Sequence, residues 1–118
     1  MLHAFYEMTD GSCLAFFEVP GEEGKNFEFK DQHDFDLHIA LTVPRADLEP
    51  WIAKAKAAGI PVRGIADHKL IDSIYFRDPN GYVIELTAKR PDHDDQVAKA
   101  RTSARGALDQ FQREKPRD

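Results

Sequence analysis

Glu85 lies between Ile84 and Leu86 in "SIYFRDPNGYVIEL", where two strand-like runs flank the turn formers Asp78, Pro79, Asn80 and Gly81. A carboxylate inside a sheet must be paired, protonated, exposed or bound to a metal, because desolvating it alone is costly. His38, in "DLHIALTV", is the natural partner to consider. An imidazole and a carboxylate are two of the three protein ligands that an open Zn, Mn or Fe(II) site uses, the remaining positions taking water or substrate. A structural alternative stands beside this one, in which His38 is an ordinary hydrogen-bonded sheet residue and Glu85 is solvated or paired with Arg77. Residue types alone leave both open.

Alternation says which residues share a face. In the segment 36–43, Leu37, Ile39, Leu41 and Val43 form one face and Asp36, His38, Ala40 and Thr42 the other. In the strand after the turn Val83, Glu85 and Thr87 lie together. Ser73, Tyr75 and Arg77 do so in the strand before it. Between them, Leu48, Trp51, Ile52, Ala55 and Ala58 recur at helical spacing, with Asp47 as N-cap, Pro50 in the first turn and Gly59 as the stop. If the apolar faces pack on that helix, His38, Tyr75, Glu85 and Thr87 converge on the concave side.

The resulting order over 36–88 is strand, helix, strand, strand, strand, with strands expected at 36–43, 61–66, 70–77 and 82–88. The class is α+β: one complete βαβββ module preceded by part of another. Upstream, "SCLAFFEV" is the one clear strand, with "GEEGKNFEFKDQHD" read as a loop carrying at most a short edge strand. After Arg90, Val97, Ala100, Ala104, Leu108 and Phe111 mark an amphipathic C-terminal helix, interrupted at Arg105-Gly106, whose stripe could dock on the sheet or a partner. Two regions follow: 1–90 as the folded domain, and 91–118 as the helix and a polar tail.

Composition narrows the function classes. Of 118 residues, 42% are hydrophobic and 31% charged, which fits neither the disordered nor the membrane class. The net charge of -5 and the dispersed basic residues argue against nucleic acid. With no signal-peptide pattern and no long apolar run, a cytoplasmic location is the default expectation. Cys13 alternates with Ala15 and Phe17, so a packed thiol is expected, and one thiol agrees with a reducing compartment. His33 and His93 are expected to be solvated, and Asp92 to Asp95 to supply helix N-terminal charge. Walker, dinucleotide, nucleophile-elbow and Cys-x-x-Cys motifs are absent.

"DLHIALTV", "DLEPWIAKAKAAGIPV" and "DHKLIDSIYFRDPNGYVIEL" together resemble the second module of the vicinal oxygen chelate superfamily, which includes glyoxalase I, extradiol ring-cleaving dioxygenases and fosfomycin and bleomycin resistance proteins. "DGSCLAFFEVPG" resembles the strand that ends the first module. The resemblance covers Met1 to about Ala88. It implies paired βαβββ modules around a divalent metal, Fe2+, Mn2+ or Zn2+, with His38 and Glu85 as ligands.

A third ligand normally comes from the first strand of the first module, which this chain lacks in the resemblance. The chain is therefore expected to be an N-terminally shortened member, with Glu18 or His3 as substitute ligands and Glu18 preferred. His68 matches the acid/base histidine of the extradiol enzymes, and Tyr75 the tyrosine they place near the substrate hydroxyl. Such types suit the task, since an imidazole near its working pKa can shuttle a proton and a phenol can hydrogen-bond a catecholate oxygen.

The function implied is a metal-dependent enzyme acting on a small molecule with vicinal oxygens, with ring cleavage slightly ahead of glyoxalase-like isomerisation. The alternative is a non-catalytic small-molecule-binding protein of the bleomycin-resistance type, or an inactive shortened member. An uncovered sheet edge implies a homodimer.

Overall fold

The structure is a computed structural model that describes residues 1–21 and 38–116. The chain divides into two compact units, Met1–Lys30 and Asp31–Asp118. Most of the segment "GEEGKNFEFKDQHD", together with His33, Asp36 and Leu37, lies outside the described residues.

In the first unit, β1 (Leu2–Glu7) and β2 (Cys13–Glu18) form an antiparallel hairpin with Leu2 opposite Glu18 and Glu7 opposite Cys13. β2 is the expected strand, trimmed by a residue at each end. β1 is a strand that the sequence reading did not assign; "LHAFYE" is too short and mixed to declare itself without its partner. The turn closes through Asp10, whose carboxylate accepts the Ser12 backbone N–H at 2.9 Å, with Gly11 at φ +83°. The Ser12 hydroxyl and N–H hold the Asp10 carboxyl below its ordinary pKa. Cys13 is exposed and not packed as expected, because it opens β2 beside the turn, opposite Glu7.

The second unit is built on a four-stranded sheet in the order β3-β6-β5-β4. β3 (Ile39–Thr42) runs parallel to β6 (Val83–Lys89), while β5 (Ile71–Arg77) is antiparallel to both β6 and β4 (Arg63–Asp67). Between β3 and β4 the chain passes through a 3-10 turn at Arg45–Asp47 and then α1 (Leu48–Ala57). This is the expected βαβββ order. Asp47 occupies the N-cap position without a side-chain cap, because the 3-10 turn holds it at φ -88°, ψ -13°, in helical and not extended backbone. Gly59, at φ +71°, ends the helix as expected.

One face of the sheet packs on α1. Leu48, Ile74, Leu86 and Ala88 are buried together, with Leu41, Val43, Ile52 and Phe76 against them. Alternation predicted this division, since Ile74 and Leu86 point away from Tyr75 and Glu85. The β5–β6 turn is held by Asp78, whose Oδ1 accepts the backbone N–H groups of Asn80 and Tyr82, each at 2.9 Å.

β4 begins two residues later than expected and is irregular between Arg63 and Ala66. Gly64 causes this. It sits at φ +122°, and an added Cβ would fall 2.6 Å from the Ser73 carbonyl oxygen.

α2 (His93–Glu114) is continuous through Arg105 and Gly106, not interrupted there. One glycine costs a helix only about 1 kcal/mol, and Asp109 pairs with Arg105 one turn away at 3.1 Å. None of its residues is buried. Asp94 and Asp95 occupy the first turn, as expected. His93 is not simply solvated: its Nδ1 bonds the Leu70 carbonyl at 3.0 Å and pins the helix start. Arg90, just before it, reaches Asp67 at 2.6 Å and the buried Asp72 at 3.5 Å, and Arg45 also pairs with Asp72. No helix among the described residues is long and apolar enough to cross a membrane.

Candidate metal centre

Strand register lines up the face turned away from α1. Ala40 of β3, Glu85 of β6, Tyr75 of β5 and Arg63 of β4 form one row across the sheet. His38 precedes Ala40 by two residues and so lies on the same side. One row along, Ser73 Oγ donates to Thr87 Oγ1 at 3.1 Å, which commits Thr87 to a structural bond.

These side chains form a chain of hydrogen bonds. His38 Nε2 lies 3.0 Å from Glu85 Oε2, the Tyr75 hydroxyl donates to Glu85 Oε1 at 3.2 Å, and His68 Nε2 lies 2.7 Å from the Tyr75 oxygen. The phenol proton is used on Glu85, so the ring N–H of His68 donates to the phenol oxygen and that of His38 to the carboxylate. Glu85 is 6% exposed and Tyr75 9%. Such a carboxylate requires partners, and each of its oxygens has one. The structure thus brings His38, His68, Tyr75 and Glu85 into one connected set. Glu85 is paired with His38 and Tyr75, and the Arg77 guanidinium instead donates to the Gly81 carbonyl at 2.7 Å.

Burial pushes the Tyr75 phenol above its ordinary pKa, and the charge and hydrogen bond of Glu85 push it further. The group therefore stays protonated at neutral pH and remains a donor. The Arg63 guanidinium lies over the same ring, 4.5 Å from its centroid. Sequence reasoning missed Arg63. Alternation could have placed it with Tyr75, but the glycine bulge one residue later hides the register. An open groove of about 370 Å³ adjoins the row, lined by Ile60, Val62, Arg63, Tyr75, Arg77 and Val83 among others.

The donor types suit a divalent ion. Their separation fits too, since neighbouring ligands on a metal bound at about 2.1 Å stand roughly 3.0–3.4 Å apart. The set is two ligands deep: among the described residues no three His, Cys, Asp or Glu side chains cluster. The proposed substitutes Glu18 and His3 lie on opposite faces of the hairpin, since Glu18 pairs with Leu2 and His3 with Phe17. They are alternatives, not a pair. His3 also stacks on Phe17, with ring centroids 3.9 Å apart, which gives it a packing role of its own.

Comparison with known proteins places this geometry in context. The sequence model of the glyoxalase/bleomycin resistance protein/dioxygenase superfamily matches residues 1–86, across both the hairpin and the sheet. Metallothiol transferase FosB from Bacillus licheniformis is 35% identical over 97 residues, covering 70% of this chain. The matched region is 63% of the length of that relative. Among solved structures, the fosfomycin resistance protein FosX from Listeria monocytogenes in its monoclinic form superposes with a TM-score of 0.60 at 18% identity, over 80% of this chain and 68% of its own. FosX complexed with Mn(II) and sulfate gives 0.55 at 18% identity, over 77% and 66%. A glyoxalase/dioxygenase from Nostoc punctiforme gives 0.60 at 19% identity, over 75% and 60%. The structural matches support the shared fold.

Proposed function

Because the chain belongs to the glyoxalase/bleomycin resistance protein/dioxygenase superfamily, we propose that it is a divalent-metal enzyme acting on a small molecule with neighbouring oxygens, with His38 and Glu85 as ligands. The single observation that carries this reading is the buried Glu85 carboxylate, with Oε2 3.0 Å from the imidazole of His38. A further ligand is needed beyond this pair, and a second copy in a homodimer can supply one. Mn2+, Zn2+ and Fe2+ all accept this O and N donor set. When bound, such an ion supplies Lewis acidity, polarising a substrate oxygen and stabilising negative charge that develops on it.

Similarity to a metallothiol transferase and to fosfomycin resistance proteins favours fosfomycin as the small molecule, with a thiol as the second reactant. Within this chain, Glu85 and His38 would hold the ion that binds the reacting end, and the groove beside Tyr75 takes the carbon skeleton. His68 is exposed at the end of the hydrogen-bond chain, where it can exchange a proton with solvent or substrate. Ring cleavage is the second reading. It has in its favour the 2.7 Å contact between His68 and Tyr75, the acid/base and phenol pair that such chemistry uses.

Metal analysis tests the proposal. Purified protein reconstituted with Mn2+ or Zn2+ is expected to retain about one ion per chain after desalting, and the His38→Ala and Glu85→Ala variants little. Equal, substoichiometric metal in all three removes the enzyme reading. Ligand binding indifferent to chelator would instead favour the non-catalytic binding protein.

A further inference from the structure

We infer that Tyr75 is a positioning residue for Glu85, held in turn by His68 and Arg63, and that this trio fixes the carboxylate as a one-oxygen ligand. The inference rests on the metal reading above. The two oxygens of Glu85 are unequal: Oε1 is occupied by the Tyr75 hydroxyl at 3.2 Å, while Oε2 faces His38 at 3.0 Å. A carboxylate with one oxygen engaged by a donor cannot rotate both oxygens toward an ion without losing that bond. Only Oε2 is presented beside the imidazole.

Tyr75 is itself constrained at three points. Its ring is buried in the sheet, the Arg63 guanidinium lies 4.5 Å above its centroid, and His68 Nε2 donates to its oxygen at 2.7 Å. The third contact sets the hydroxyl rotor: with a donor on the oxygen, the phenol proton is directed at Oε1. His68 thus influences Glu85 from two side chains away, and its reach explains how a loop histidine and a strand carboxylate belong to one device. Partners of this kind orient ligands and shape metal affinity.

Metal affinity in the full chain is the readout, measured by competition for Mn2+ and Zn2+ against a chelating dye, together with the Mn2+ EPR spectrum. Tyr75→Phe is expected to weaken binding about 10- to 100-fold and to change the EPR spectrum as the carboxylate becomes free to use both oxygens. His68→Ala should move in the same direction by less. His68→Gln, which returns an amide N–H to the position of Nε2, should recover most of the loss. Thermal unfolding of the metal-free variants accompanies the titrations, since a purely structural role would lower the melting temperature without altering the spectrum of the bound ion. Wild-type affinity and an unchanged spectrum in Tyr75→Phe overturn the inference while leaving the metal reading intact. Failure of the wild-type protein to bind either ion overturns both.

Discussion

Removing Arg45 should destabilise the protein more than removing the carboxylate it pairs with. The Asp72 side chain is 5% exposed, Arg45 is 53% exposed and Arg90, the second cation near Asp72, is 33% exposed. In Arg45→Ala the buried carboxylate keeps, among the described residues, Arg90 at 3.5 Å, and breaking a buried pair in this way costs about 3–5 kcal/mol. The remaining cation offsets part of that, leaving about 2–3 kcal/mol. In Asp72→Ala both guanidinium groups reach water, which screens what they lose, so the loss is that of an ordinary hydrogen bond, about 0.5–1.5 kcal/mol. The double variant should be more stable than Arg45→Ala alone, because the uncompensated charge is gone. Urea denaturation of the four proteins, with slopes compared to verify a common two-state transition, reads the cycle directly. If Asp72→Ala is the most damaged, or if the double variant equals the sum of the singles, the account of a buried carboxylate neutralised by solvent-reaching cations is wrong.

Other consequences can be checked in parallel. Gly64→Ala should lose more than about 2 kcal/mol in the same denaturation assay, since its new Cβ would strike the Ser73 carbonyl and φ +122° is strained for any L side chain. The Arg90 guanidinium, first through its hydrogen bond, holds the Asp67 carboxyl below its ordinary pKa. A depressed folded pKa means that this contribution to stability is present above the unfolded value and lost as pH falls through the folded one. Arg90→Ala should therefore move the Asp67 carboxyl titration, followed by NMR, to higher pH; an unmoved titration would contradict the ion pair. Leu48→Ala, which empties the centre of the packing between α1 and the sheet, should cost about 2–5 kcal/mol.

Much of the site was legible because a strand has a period of two. Once His38, Tyr75 and Glu85 were assigned to strands, alternation placed them on the face opposite Leu41, Ile74 and Leu86, and the register agrees. His68 was legible only through family resemblance, since nothing local to "DHKLIDS" predicts a bond to a tyrosine seven residues away. Arg63 was lost at the Gly64 bulge, where alternation fails. Asp72 looked like any polar strand residue, and its burial depends on Arg45 and Arg90, 27 residues before it and 18 after. β1 was missed because six mixed residues become a strand only when paired with β2. Gly106 does not interrupt α2, because helix propagation through the surrounding helix formers outweighs the local cost of one glycine.

Isothermal titration of Mn2+ or Zn2+ into metal-free protein, beside Glu85→Gln, reads whether His38 and Glu85 bind an ion. The substitution keeps the volume of the side chain and a hydrogen-bonding oxygen for Tyr75 while removing the charge. Saturable binding near one ion per chain is expected in the wild-type protein, with a loss of at least about tenfold in affinity for the variant. Indistinguishable isotherms, or no binding in either protein, would contradict a metal centre built on His38 and Glu85.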